Sequence, residues 1–278
     1  MTSTRERQRA AARARLEREM AERASRARKR RQTQAIVGAA AVLVLVVAGT
    51  VWLATSLGGD DDKQQTASAS GYSQCAYTEV PKEGRPKQIK DVGLPPTQQA
   101  NKGSQTMTID TNLGPITAKL NRDQVPCTAG SFTHLASKGF FDNTKCHRLV
   151  TEGIKVLQCG DPSATGKGWR DTDGIGGPSY GMAEENLPTD KRPPYPEGVI
   201  AMANAGPGST GSQFFIVYDD SQLDPNYTVL GTITGGMDVV KQVAAAGDDG
   251  AFAQQAGGGH PKKEIVINKL TMSDIQGA

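Results

Sequence analysis

Three glycines, Gly206, Gly208 and Gly211, stand in the G-x-G-x-x-G spacing that lets backbone approach a pyrophosphate, which requires a helix to open directly behind them. Ser212 to Tyr218 (SQFFIVY) follows instead and reads as a strand, so dinucleotide binding is excluded. The run 160–167 has five residues between its glycines where a phosphate-cradling loop has four, and Gly168 stands where the Mg²⁺-binding hydroxyl belongs. Ser209 would be a hydrolase nucleophile in G-x-S-x-G, but Pro207 breaks the pattern. His134, His147 and His260 lie far apart and without a paired carboxylate motif, so the sequence gives no metal site and calls for no cofactor. Cys75, Cys127, Cys146 and Cys159 likewise lack the C-x-x-C spacing of a zinc site and read as structural disulfides in three possible pairings.

Four blocks remain: KCHRLV at 145–150, LQCGD at 157–161, GVIAMANAGPGSTGSQFFI at 198–216 and LDPNYTVLGTITGGMDVV at 223–240. In their order they resemble the cyclophilins, the cyclosporin-binding class of peptidyl-prolyl cis-trans isomerases, over roughly 105–272. The resemblance implies a mainly β fold, a closed eight-stranded antiparallel barrel capped by two helices. It places the catalytic arginine at Arg148, beside His147. Gln158 and Gln213 become polar contacts to the substrate backbone, and Met202, Ala203, Asn204 and Ala205 the edge that receives an extended peptide. Phe215 becomes the floor of a proline pocket, with Leu223 and Tyr227 on its walls.

Such a set suits rotation about an X-Pro amide. Resonance holds that bond planar behind a barrier of roughly 18–20 kcal/mol, and rotation breaks the conjugation of the nitrogen with the carbonyl. A guanidinium that donates to the nitrogen lone pair, which appears only in the twisted state, stabilises the transition state over both ground states. No nucleophile, metal or cofactor enters.

This chain departs from the common form of the family in several places. Nine residues (LVTEGIKVL) separate Arg148 from Gln158 where seven are usual. Lys155 and Val156 occupy the positions of the usual pocket phenylalanine and methionine, with Ile154 available as a substitute. Gln222 replaces the tryptophan associated with tight cyclosporin binding, which implies weakened binding, and Tyr227 replaces a frequent histidine.

The elements that must position these residues are short. TMTID at 106–110 and ITAKL at 116–120 alternate about a turn at Asn112, Leu113 and Gly114, a hairpin. A helix runs from Pro126 to Gly139, with apolar residues at helical spacing, and a second covers 237–245. Strand-like segments at 146–150, 155–158, 199–203, 214–218, 229–232 and 264–270 complete the set, and residues 169–196 read as a surface loop. Many short strands without regular strand–helix alternation point to a closed barrel or a sandwich rather than a doubly wound domain.

Length and charge organise the rest. The 278 residues carry a net charge of +3, 37% hydrophobic residues and a mean hydropathy of −0.46, which excludes a polytopic membrane protein. Residues 1–34 hold twelve Lys or Arg against four Glu, leaving the other 244 residues five negative. Residues 35–57 are 23 uncharged residues, enough at about 1.5 Å each to span a bilayer core. Arg28, Lys29, Arg30 and Arg31 precede them and Asp60, Asp61 and Asp62 follow, so the positive-inside rule puts the N-terminus in the cytoplasm. The sequence therefore reads as a basic tail (1–34), a signal-anchor (35–57), an extracytoplasmic linker (58–104) and the isomerase-like domain (105–278), in a single-pass cell-membrane protein. The implied activity is assisted folding of secreted or envelope proteins, with proline-containing peptides and unfolded chains as partners and no nucleic acid. Two other readings are a non-catalytic proline-peptide-binding module on the same groove, and a basic tail that itself binds anionic lipid or nucleic acid.

Overall fold

The computed structural model describes residues 71–277. The basic tail at 1–34, the apolar span at 35–57 and the first part of the linker at 58–70 lie outside the described residues. Among the described residues no helix is long and apolar enough to cross a membrane.

In chain order the strands are β1 (Tyr72–Gln74), β2 (Thr78–Glu79), β3 (Ile89–Lys90), β4 (Gln98–Ala100), β5 (Ser104–Thr111) and β6 (Gly114–Asn121). Helix α1 (Pro126–Ser137) follows, then β7 (Thr144–Lys145), β8 (Arg148–Val150), β9 (Val156–Cys159), β10 (Gly177–Pro178) and β11 (Tyr180–Gly181). The chain ends with β12 (Val199–Met202), β13 (Phe214–Val217), β14 (Val229–Gly235), α2 (Met237–Ala246) and β15 (Val266–Met272).

Nine strands form one antiparallel sheet in the order β7-β15-β5-β6-β14-β12-β13-β9-β8. The closed eight-stranded barrel implied by the sequence is corrected here: the sheet curls into a half-barrel whose ladder stays open between β7 and β8. The reason lies in the chain path. Lys145 pairs with Val266 on β15, and only Cys146 and His147 separate it from Arg148, which pairs with Gln158 on β9. Cys146 and His147 carry the chain from one edge to the other, so β7 is paired with β15 and β8 with β9, and no ladder joins β7 to β8.

Period-two alternation drives the hairpin. Met107 and Ile109 on β5 lie opposite Ala118 and Ile116 on β6, all buried, while Thr106 and Lys119 face outward. Helix α1 buries Ala129, Phe132 and Leu135, and Phe132 packs on Phe141 and Phe214 with ring centroids 5.4 and 5.9 Å away. Phe132 and Leu135 each contribute about 1.5–3 kcal/mol of burial. Its N-cap, Val125, has no side-chain acceptor. Glu185 supplies one from far along the chain, taking the N–H groups of Cys127 (3.1 Å) and Thr128 (2.8 Å) and the Thr128 hydroxyl (2.6 Å).

Within the span read as linker, the chain from Tyr72 is laid against the domain. β1 pairs with β4, β2 with β11 and β3 with β10. A disulfide joins Cys75 to Cys127, and the buried Arg122 donates to the Ala100 carbonyl (2.9 Å) and to the side chains of Gln105 (3.0 Å) and Gln99 (3.2 Å). The second disulfide joins Cys146 to Cys159. Residues 169–196 are not simply a surface loop: Tyr180 and Tyr195 are fully buried, and the Tyr180 hydroxyl meets that of Ser131 at 2.7 Å. Both rings turn inward because the phenol ends find polar partners there.

Candidate active site

Sheet register lines up the central residues. Arg148 on β8 lies opposite Gln158 on β9, Gln158 opposite Phe215 on β13, and Phe215 opposite Ala201 on β12. Paired residues share a face, so one rung carries the guanidinium, the amide and the ring side by side. The next rung on that face is Val150, Val156 and Val217. The other face carries Leu149, Leu157, Ile216 and Ile200 into the main core.

A polar relay crosses the first rung. Arg148 Nη1 donates to Gln158 Oε1 (2.9 Å), Gln158 Nε2 donates to Gln213 Oε1 (2.9 Å), and Gln213 Nε2 donates to the carbonyls of Gly174 (2.7 Å) and Gly176 (2.9 Å). The guanidinium can only donate and the glycine carbonyls can only accept, so the two ends set the sense of both amides. Behind the glycines, the fully buried Asp161 accepts from Gly174 N (2.6 Å) and Gly176 N (3.2 Å) through Oδ2, and from Ser163 through Oδ1. A side chain at position 176 would place its Cβ 2.0 Å from that carboxylate, so only glycine fits. Burial lowers the pKa of Arg148 from its ordinary value, partly offset by the nearby Tyr227.

Beside the relay lies an apolar pocket. Phe215, 5% exposed, meets Tyr195 and Tyr227 edge to face at 6.0 and 5.7 Å, and Leu223, Ala203 and Ile154 pack on the same cluster. Tyr195 fixes Tyr227 from behind: its hydroxyl accepts from Tyr227 N and donates to Tyr227 O, both at 2.9 Å. In the longer segment after Arg148 the Lys155 ammonium turns back to the Thr151 carbonyl, and Ile154 and Val156 pack in the apolar cluster.

Ala203, Asn204 and Ala205 border pocket and relay. The Asn204 side chain is tied to Asn226 O (2.9 Å) and Gly206 N (3.2 Å), and Ala205 N donates to Ser209 Oγ (2.7 Å). A cavity of 690 Å³ continues past Ala203 and Gln213 toward Val80, Pro81 and Ile89 of the N-terminal segment and Tyr180. Sequence reasoning missed those N-terminal residues, and also Tyr195. The Pro-Pro step before Tyr195 was the one available signal.

Two of the sequence-assigned site residues sit elsewhere. Met202 is fully buried in the main core, because alternation along β12 turns it away from the face of Ala201. His147 is 2% exposed, its Nδ1 without a hydrogen-bond partner, and burial lowers its pKa to about 4 against the opposing pull of Asp161 and Asp173. Its ring offers a peptide almost no surface. Among the described residues no cluster of three or more His, Cys, Asp or Glu side chains is arranged to hold a metal.

Fold and groove together define a class: a curled antiparallel sheet with two helices, bearing a guanidinium at the rim of an apolar pocket. Residues 106–272 match the family model for the cyclophilin type peptidyl-prolyl cis-trans isomerase/CLD. A Mycobacterium leprae protein named Probable peptidyl-prolyl cis-trans isomerase B is 41% identical over 211 residues, covering 71% of this chain and 66% of that protein. Its Mycobacterium tuberculosis counterpart of the same name is 39% identical over 218 residues, 74% of this chain and 66% of that one. The match thus spans about two thirds of the length of these curated relatives. A crystal structure of a Cryptosporidium parvum cyclophilin type peptidyl-prolyl cis-trans isomerase superposes with a TM-score of 0.50 at 27% identity, over 62% of this chain and 99% of that one. The chain belongs to the cyclophilin type peptidyl-prolyl cis-trans isomerase family.

Proposed function

We propose that this protein accelerates cis-trans rotation about X-Pro bonds in proline-containing peptides and unfolded proteins. The observation that carries the reading is the Arg148 guanidinium, held by Gln158 on the same rung as the Phe215 floor of the apolar pocket. A prolyl ring seated among Phe215, Leu223, Tyr227 and Ile154 is fixed by shape and burial. The peptide preceding it lies extended along Ala203, Asn204 and Ala205, with Gln158 and Gln213 as polar contacts. Arg148 then donates to the amide nitrogen as it loses conjugation, a bond stronger in the twisted state than in either planar one. One side of the amide is clamped while the other turns.

The domain acts outside the cytoplasm on secreted or envelope proteins, tethered by residues 35–57 with the basic tail inside. The uncharged stretch and its flanking charges support this topology. Gln222 supports weakened cyclosporin binding.

NMR exchange spectroscopy on a short Ala-Pro-containing peptide tests the activity. Cis-trans exchange cross-peaks should grow with substoichiometric protein; a folded chain that leaves exchange at the uncatalysed rate refutes it. Protease added to intact cells should remove the domain and spare the tail, and protection of the domain would refute the topology.

A further inference from the structure

The connection between α2 and β15, residues 247–265, is far longer than the few residues that usually join two elements, and long ordered connections are commonly functional. It folds back onto β8, the strand of Arg148. Leu149 N donates to Gly259 O (2.8 Å) and Gly259 N to Leu149 O (3.0 Å). The adjacent Gly258 has φ +70°, and a Cβ there would stand 2.0 Å from the Leu149 carbonyl, so the approach requires glycine.

Side chains brace the loop from within. Asp249 Oδ1 accepts from Ala251 N (3.0 Å) and His260 N (2.7 Å), and its Oδ2 meets His260 Nδ1 at 2.9 Å. The His260 ring stacks on Trp169 (4.6 Å, 10° between planes) and meets the edge of Phe252 at 4.7 Å. Phe252 itself bridges the loop, donating to Gly258 O and accepting from Gly257 N, both at 2.9 Å.

The bracing turns two carbonyls onto the guanidinium. Arg148 Nε donates to Gly257 O (3.0 Å), and Arg148 Nη2 donates to Ala256 O. With Gln158 on Nη1, three of the five N–H bonds are engaged, which leaves one hydrogen on each terminal nitrogen. A half-buried cation needs such acceptors, and two on one edge fix the plane of the group as well as its position.

We infer that the 247–265 loop is the positioning element of Arg148, with the Ala256 and Gly257 carbonyls setting the orientation in which the free guanidinium hydrogens face the prolyl amide. The inference rests on the isomerase reading above. Loosening the loop frees the guanidinium to swing without emptying the apolar pocket, so turnover falls while peptide affinity stays.

The test uses the full chain and an Ala-Pro-containing peptide, with exchange rates measured over a range of peptide concentrations. Asp249→Ala, which cuts the brace, should lower kcat about tenfold with KM within about twofold, in line with the sensitivity of positioned groups to small displacements. Asp249→Asn keeps an acceptor oxygen for the Ala251 and His260 N–H groups and should recover most of the loss. The ¹⁵N-edited signal of the Arg148 Nε–H, slowed in exchange by Gly257 O, should sharpen in the parent and Asp249→Asn chains and broaden away in Asp249→Ala. Phe252→Ala loosens the same loop and gives the same readouts where Asp249→Ala does not fold. An active parent whose variants keep kcat and the Nε–H signal overturns the loop's role alone, and a rise in kcat overturns it in favour of a shielding loop. A parent that does not accelerate exchange overturns the isomerase reading and this inference with it.

Discussion

Replacing one buried oxygen behind the relay, Asp161→Asn, should destabilise the domain and slow it together. Asp161 is fully buried and accepts four hydrogen bonds, two at each oxygen. An amide supplies acceptor capacity on one side only. If its NH₂ faces the glycines, the N–H groups of Gly174 and Gly176 both lose their acceptor. If it faces Ser163, the hydroxyl can rotate to accept, but the Ser163 N–H is orphaned. At least one N–H is therefore left unpaired, in the milder case the partly buried one of Ser163, at about 1–3 kcal/mol, and the surviving bonds weaken as the acceptor loses its charge. The sum is about 2–3 kcal/mol. For a domain of roughly 200 residues, at about 2–4 °C per kcal/mol, the melting temperature should fall by about 6 °C. Because Gly174 and Gly176 anchor Gln213, and through it Gln158 and Arg148, kcat/KM should fall severalfold in the same variant. Differential scanning calorimetry at pH 7.5, with prolyl exchange rates on the same sample, reads both. A melting temperature within 1 °C of the parent would refute the count of orphaned donors.

Three further outcomes follow from the same structure. The folded-state pKa of His147, lowered by burial to about 4, lies below its unfolded value near 6.5, so the unfolded chain binds the extra proton between those values. The stability this represents is complete above about pH 6.5 and lost as pH falls toward 4; unfolding free energies from urea titrations at pH 7.5 and 4.5 should differ by about 2–3 kcal/mol less in His147→Gln than in the parent. Opening the Cys75–Cys127 bridge, whose cysteines lie 52 residues apart, as Cys75→Ser with Cys127→Ser should cost about 2–4 kcal/mol by chain entropy, measured by denaturant unfolding. Glu185→Ala should cost about 1–2 kcal/mol by the same assay, since it strips the cap from α1, with kcat/KM little changed at equal folded fraction.

The sequence made some of this fold plain and left other parts silent, for reasons visible in individual residues. The β5–β6 hairpin and both helices carry their periodicity openly: Met107, Ile109, Ile116 and Ala118 alternate, and Ala129, Phe132 and Leu135 recur at helical spacing. Strand β12, in contrast, is buried on both faces, so its apolar run VIAM gave no parity, and Met202 could not be separated from Ala201 by pattern. β1 to β4 are two or three residues long, too short to show a period, and their docking depends on Cys75, Tyr77 and Arg122 meeting partners distant in sequence. The open edge between β7 and β8 is a matter of chain path, not composition. Among site residues, Arg148, Gln158, Gln213 and Phe215 lie side by side, joined by sheet register and the side-chain relay. The acceptors that hold Arg148 from the other side are backbone carbonyls of Ala256 and Gly257, groups every residue carries and no motif can announce.

The central claim is that the Arg148 guanidinium stabilises the twisted X-Pro amide. Prolyl exchange measured side by side in the parent, Arg148→Lys and Arg148→Ala chains, with peptide affinity read from chemical-shift titration, tests it most directly. The account predicts that Arg148→Ala loses about a hundredfold or more in kcat/KM, as for removal of a donor that acts only in the transition state, while the peptide still binds within a few-fold. Arg148→Lys should recover little, because a point charge cannot keep the bonds to Gln158 and Gly257 that aim the planar group. An Arg148→Ala chain that turns over the peptide at the parent rate would contradict the account.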